Sequence, residues 1–528
     1  MEFDVLVRNG NVFDGTGAAP MIADVGISSD RIEAIGDLSA ATGKLEIDAA
    51  GHAVAPGFID THTHSDLAWS LGPEHEHVVA ATIRQGVTTE ICGNCGFSPF
   101  PHIAGHRADM ERHMSTLFGD ANVDWKDLNG FSNAVRSAGV FANLAPLIGH
   151  GSLRVGVLGF EDRPPRDDEV ATMKRLVEEA FEQGAFGFSS GLIYMPGVFA
   201  QTGELIELTK TVKRFGRPYV THIRGETDMV RQSVQEAIRI GTEAGVPTHI
   251  SHHKVAGKVN WGRTEETLGI IAAARALGVD ITLDVYPYTA GSTLLYAMLP
   301  RWAQDGGVQK MLERLTDRIA RDRIIADFAD GPAEWENLQK AAGWDGIYIA
   351  TCPGRPEVEG HSISELAASG READFVFDLL IEQDAKVTMI VHMMAEADVQ
   401  RVLGYEAAMI GSDGIPLPGK PHPRWAGTFS RVLGHYSRDE RLFDLATAIH
   451  KMTGMAADRF GLRDRGYLMP GKVADVVVFD PATVVDRATF DEPLVAPSGV
   501  LHVFVGGAAV VSEGELTGAR PGRVLAAR

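Results

Sequence analysis

The chain has 528 residues, 45% hydrophobic and 23% charged, enough to bury a large core in more than one domain. Its 49 Lys and Arg against 70 Asp and Glu give a formal net charge of -21, which disfavours nonspecific binding to nucleic acid or to an anionic membrane. No apolar run is long enough to span a bilayer, MEFDVLVRNG lacks the features of a secretory signal, and Cys92, Cys95 and Cys352 make no disulfide framework, so a cytoplasmic protein with a small-molecule partner is expected.

Up to about Pro56, the alternating segments DVLVRNGNVF, DVGISSDRIEAIG and KLEIDAAGHAVAP predict a small antiparallel sheet. From Gly57 to about Leu462, apolar strands alternate with helix-length amphipathic stretches such as DDEVATMKRLVEEAFEQG. About eight such units predict an α/β fold, a (β/α)8 TIM barrel with its active residues at strand C-terminal ends. The stretch from Leu294 to His392 is too long for one connection and is expected to be an inserted lid subdomain. From Gly466, Val-rich strands return. Residues 1–57 and 463–528 are therefore expected to form a small β-sandwich domain, and residues 58–462 the barrel, with its insertion at about 294–392.

The predicted strand ends are THTH, TEICGNCG, PLIGHG, FGFSSGL, YVTHIR, THISHHK, DVYPYTA and MIGSDG. On a strand, residues two apart face the same way, so His62 and His64 address one point. His75 and His77 share the spacing but open a predicted helix, where such a pair diverges, and read as a solvated face. His222 and His252 each end a later strand, and imidazole is the commonest metal-binding side chain. Adjacent His253 is expected to pack behind the barrel. Asp413 can reach the same centre, although Asp before Gly is also a common turn residue.

Two motifs invite other chemistry. Cys92-x-x-Cys95 has no second CxxC to make a zinc ribbon, and its glycines predict a loop where a redox pair would open a helix. Gly187–Gly191 matches G-x-S-x-G, but the Pro-Gly break that follows does not suit a nucleophile elbow.

PGFIDTHTHSD, GVTTEICGNCGFSP, GLIYMPGVFA, THISHHK, DVYPYTAGST, IGSDG followed by HPRWAGTFSRVLGHY, and LMPGKVADVVVFDP occur in this order nearly end to end. Together they resemble the amidohydrolase superfamily of metal-dependent hydrolases and, within it, the N-acyl-D-amino acid deacylases. The resemblance implies Cys95 as a metal-bridging thiolate. It also implies a tight Zn2+ site of Cys95, His222 and His252, and a second, weaker or partly filled site at His62 and His64. In the hydantoinase and dihydroorotase relatives a carboxylated lysine on the fourth strand bridges two metals, and FGFSSGLIY has no lysine.

The expected reaction is hydrolysis of an N-acyl-D-amino acid by metal-activated water, with Asp413 as general base and then general acid. Arg424 and Lys254 are the candidate cations for the substrate carboxylate. Tyr286 and Ser292 match family hydrogen-bond donors, Tyr194 is expected in the pocket wall, and Met393 and Met394 beside the substrate side chain. Val391 and His392 stand where relatives often carry an aromatic or other apolar pair. The competing readings are an amidohydrolase acting on another N-acyl compound or a cyclic amide, and a non-catalytic barrel used for binding. The absent lysine opposes the cyclic case, and the complete set of candidate ligands opposes the non-catalytic one.

Overall fold

The computed structural model describes residues 1–103, 105–119, 123–331 and 335–527. Residues 332–334 of the expected insertion and residue 528 of the expected β domain lie outside the described residues. Strand β1 (Glu2–Val12) pairs antiparallel with β2 (Met21–Ser28), and β2 with β3 (Arg31–Gly36). Alternation along these strands turns Val5, Val7, Val25 and Ile27 into one apolar core. Strands β4 (Thr42–Asp48) and β5 (Ala53–Pro56) instead run parallel to β1, which corrects the purely antiparallel expectation. The cause is the length of β1, whose residues 2–8 take β4 and whose residues 11 and 12 take β5 along the same edge.

Strands β6 (Phe58–Asp60), β7 (Val87–Cys92) and β8 (Asn143–Pro146) follow as a parallel sheet in that order. A second parallel sheet begins with β9 (Ile148–Gly149), β10 (Phe188–Gly191), β11 (Tyr219–His222), β12 (Thr248–Ile250) and β13 (Ile281–Val285). The chain then leaves to form β14 (Ala290–Leu294), β15 (Ile347–Thr351) and β16 (Thr388–His392), a separate antiparallel sheet. It returns as β17 (Ala408–Ile410), parallel to β13. The parallel strands are buried along their whole length, as both-face coverage by helices requires. The helix Val230–Ala244 illustrates that cover. It buries Val230, Val234, Ala237, Ile240 and Ala244 on a 3.6-residue stripe and stops at Gly245, whose φ of +70° is a left-handed cap.

After the parallel strands, β18 (Val476–Phe479) pairs antiparallel with β5, followed by β19 (Val500–Val505), β20 (Ala508–Ser512) and β21 (Glu515–Leu516). The two ends of the chain thus share one continuous nine-stranded sheet, whereas a sandwich has two facing sheets. Val54, Val476, Val478 and Phe504 join the core begun by β1 and β2, so the sheet curls over its own apolar face. The last residues turn back to β8: Leu144 N donates to Arg523 O (2.9 Å) and Leu525 N to Leu144 O (2.8 Å). No helix among the described residues is long and apolar enough to cross a membrane.

Candidate active site

The site sits beyond the C-terminal ends of the parallel strands. Asp60, at the end of β6, accepts hydrogen bonds at Oδ1 from His62 N (3.1 Å) and Ser412 N (2.8 Å), and Asp413 N donates to His62 O (2.8 Å). These bonds lock the segments after β6 and β17 together. Asp413 Oδ1 then lies 3.3 Å from His64 Nε2 and 3.5 Å from His62 Nε2. The loop after β7 is equally constrained. Gly93 has a φ of +76°, and a Cβ there would fall 2.3 Å from Leu147 O, so only glycine fits. Cys95, His252 and Asp413 all have left-handed backbone, with φ of +53°, +36° and +51°. Such conformations are uncommon for side-chain-bearing residues and concentrate at functional sites.

Cys95 Sγ faces three imidazoles: His62 Nε2 at 3.3 Å, His252 Nε2 at 3.6 Å and His222 Nδ1 at 3.8 Å. Among the described residues three groups of donors gather within 4.8 Å, namely His62 with Cys95 and His252, His62 with His64 and Asp413, and His222 with Glu226 and His252. All are buried. Burial holds His64 down at about 4 and depresses His222 and His252, so the rings stay neutral and keep a lone pair. Burial also raises the Cys95 thiol well above its ordinary value, a penalty that a bound cation offsets.

Asp413 responds differently. Burial raises its carboxyl, but Arg424 and the neighbouring imidazoles outweigh that and hold it well below the usual range. Arg424 Nη1 is 2.8 Å from Asp413 Oδ2, its Nη2 donates to Ser292 O (3.0 Å), and its guanidinium carbon lies 4.6 Å from the Tyr286 ring centre. Pro418, Pro421 and Pro423 suggest a stiff loop around Arg424, but Arg424 opens the helix Arg424–Arg431, with Pro423 as its N-cap, and the helical turn fixes its direction. Ser292 contributes its carbonyl to this contact. Among the described residues, Tyr286 Oη and Arg424 Nε are both buried without a hydrogen-bond partner.

Lys254 proves to be committed to an acid absent from the sequence-based set. Its Nζ lies 2.7 Å from Glu226 Oε1 and 2.7 Å from His252 Nδ1, and Glu226 Oε1 is 3.1 Å from the same ring nitrogen. Glu226 follows His222 by four residues in the loop after β11, a spacing that could have flagged it. Tyr194 packs edge-on to His222 with ring centres 5.1 Å apart and bonds Thr293 Oγ1 at 2.9 Å. Met394 lines a narrow crevice with His252, Lys254 and Tyr286. His392 instead sits between Tyr348 and Phe490, at ring distances of 5.2 and 4.9 Å.

Other candidates stay outside the cluster. His253 Nε2 bonds Thr267 Oγ1 at 2.8 Å, and Cys92 is buried at the end of β7. Ser189 Oγ accepts from Gly96 N (3.2 Å) and Ser190 bonds Tyr219 and Thr221 (2.7 and 2.9 Å), while the next helical turn starts only at Gly197. His77 is exposed and His75 partly so.

Comparison with known proteins fits this geometry. Residues 45–511 match the model of the Amidohydrolase family. The chain is 40% identical to the D-aminoacylase of Alcaligenes xylosoxydans xylosoxydans over 526 residues, 99% of this chain and 98% of that protein. A solved D-aminoacylase, studied for the functional role of its binuclear metal centre, superposes with a TM-score of 0.84 at 40% identity over the full length of both chains. N-acyl-D-glutamate deacylase from Bordetella bronchiseptica, solved with zinc and a phosphonate mimic of the tetrahedral intermediate, gives 0.83 at 35% identity, again over both full lengths. The chain belongs to the amidohydrolase family, in the branch that holds D-aminoacylase and the N-acyl-D-amino acid deacylases.

Proposed function

We propose that the chain is a zinc-dependent deacylase that hydrolyses the amide bond of N-acyl-D-amino acids to a carboxylate and a free D-amino acid. The observation that carries this reading is the set of three imidazole nitrogens 3.3–3.8 Å from Cys95 Sγ. In tetrahedral zinc coordination, with Zn–S near 2.3 Å and Zn–N near 2.0–2.1 Å, sulfur and nitrogen stand about 3.5 Å apart. The sulfur–nitrogen spacing fits. Cys95, His222 and His252 are assigned to a tight zinc, and His62 and His64, with Asp413 beside them, to a second, weaker one. The binuclear centre and the bound zinc of the two solved relatives support the assignment.

When bound, zinc supplies a Lewis acid for the acyl carbonyl and lowers the pKa of water to roughly 7. Asp413, kept ionised by Arg424, takes a proton during attack and returns it to the departing amine. Arg424 Nε and Tyr286 Oη offer buried, uncommitted donors to the substrate carboxylate. Lys254 reinforces the positive field there while holding His252 through Glu226. Tyr194 and Met394 border the rest of the substrate. Fixing carboxylate, carbonyl and side chain at three points is what separates D from L. The end of β10, Ser189–Gly191, has no lysine, which favours a linear over a cyclic amide.

The same reading takes the two parallel sheets as one closed (β/α)8 barrel over residues 58–462. Leu147 alone separates β8 from β9, and at the other seam Thr61 N donates to Ile410 O (3.4 Å) while Thr63 and Gly414 bridge in parallel. Residues 294–392 then form a lid subdomain, and residues 1–57 and 463–528 one β domain. We place the enzyme in the cytoplasm. The test is acetate release by zinc-loaded protein from an N-acetyl-D-amino acid and from its L enantiomer: release from the D form alone supports the reading, and none from the D form overturns it.

A further inference from the structure

Beneath the site, the interior of the parallel strands carries a polar group to which the mechanism assigns no part. Register pairs His249 of β12 with Thr282 of β13, and Asp284, two residues on, faces the same side. Asp284 is fully buried and, among the described residues, is ion-paired with no lysine or arginine. Two of its partners, His252 and His62, are parts of the site. Oδ1 accepts from His252 N at 2.6 Å, Oδ2 accepts from His249 Nε2 at 2.7 Å, and Oδ2 lies 3.7 Å from His62 Nδ1. His249 Nδ1 is in turn bonded to Thr282 Oγ1 at 2.8 Å.

We propose that Asp284 is a positioning residue that sets the tautomer of His62 and the backbone of His252 together, with His249 holding the carboxylate in place. The inference rests on the reading of His62 and His252 as metal ligands. His62 turns Nε2 toward Cys95 and Asp413, and Nε2 has a lone pair to give only when the proton sits on Nδ1. Among the described residues Nδ1 is buried with no hydrogen-bond partner, and the Asp284 carboxylate is the anion that favours a proton there. At 3.7 Å this is charge attracting a dipole, not a hydrogen bond. The second contact acts on His252. Its left-handed φ of +36° is costly for a histidine, and the bond from its N–H to Asp284 Oδ1 supports it. Asp284 O also accepts from His253 N (2.8 Å), so one residue grips the turn after β12 twice.

Asparagine is close to isosteric but presents a donor at one position. With its carbonyl kept on His252 N, its NH2 meets His249 and His62, shifting the His62 proton toward Nε2 and blocking that ligand. The test uses the full chain without substrate. Zinc affinity is measured by chelator competition, cobalt-substituted protein supplies the thiolate-to-metal absorption spectrum, and thermal unfolding is followed beside both. Asp284→Asn is expected to weaken zinc 10–100-fold and alter the cobalt spectrum. His253→Gln, a buried neighbour bonded to Thr267, is expected to leave both as in the parent. Parent affinity and spectrum in folded Asp284→Asn overturn the inference. If that variant does not fold, Thr282→Val is read: a severalfold loss supports the relay and an unchanged affinity overturns it. A parent protein that binds no zinc refutes the proposed function instead.

Discussion

Arg424 Nη1 lies 2.8 Å from Asp413 Oδ2, with side chains only 1% and 9% exposed. The cation assigned to the substrate carboxylate therefore touches the carboxylate assigned to proton transfer. Arg424→Lys keeps the charge but loses the planar fork. Breaking one side of such a buried pair costs on the order of 2–5 kcal/mol. The loss in kcat/KM should be at least about tenfold larger on N-acetyl-D-amino acids than on the matching amides, with a smaller common loss from the Asp413 contact. Equal losses measured on both would place the carboxylate elsewhere.

Asp413→Asn removes the proton carrier but leaves Cys95, His222 and His252 intact. The tight zinc should stay, and kcat should fall by about 10²–10⁴-fold. Parallel metal analysis and steady-state kinetics check this, and near-parental turnover would assign the base to another group.

Only a thiolate facing the imidazoles can supply a zinc–sulfur bond, and Cys95 does so while Cys92 sits at the end of β7. Cys95→Ala should lose most of the bound zinc. Cys92→Ala should keep it, at a stability cost of about 1–2 kcal/mol. Zinc per chain after dialysis distinguishes the two, and equal contents would undo the ligand assignment.

Glu336, from the inserted segment, accepts from Glu226 N (3.0 Å), Thr227 N (3.4 Å) and Thr227 Oγ1 (3.0 Å). Burial, with Glu226 close by, pushes its carboxyl up to about 7. Between the ordinary carboxyl pKa and about 7, the docked segment holds a proton that an undocked one releases. Docking therefore weakens as pH rises through that window. Protease cleavage within residues 294–392 should accelerate between about pH 5 and pH 8 in the parent, and much less in Glu336→Gln. A pH response of the same size in both would free Glu336 from this role. At fixed pH, a product-like N-acyl-D-amino acid should slow the cleavage if the segment closes over the site.

Local pattern carried much of this site. His62 and His64 were readable because a strand repeats every two residues, and His222, His252 and Asp413 because each stands at or just beyond a strand end, whereas Cys95 entered only through the family resemblance of its CGNCG stretch. Glu226 and Asp284 were not readable: Glu226 in its loop reads as a solvated charge, Asp284 inside β13 reads as one polar position in an apolar strand, and only the fold brings them against Lys254 and His249. Arg424 was legible by type but not by setting, because its helix begins right after Pro423 where proline spacing alone suggests a loop. Similarly, the Val-rich termini announced strands, but the parallel attachment of β4 and β5 depends on which edge of β1 they reach.

The proposed deacylase stands on a zinc centre built on Cys95. The most direct measurement is zinc titration of metal-stripped protein while acetate release is followed on paired N-acetyl-D- and N-acetyl-L-amino acids. Activity should rise with the first zinc bound, on the D series alone, and Cys95→Ala should show no such rise. Full activity without metal, or equal rates on the two enantiomers, would contradict it.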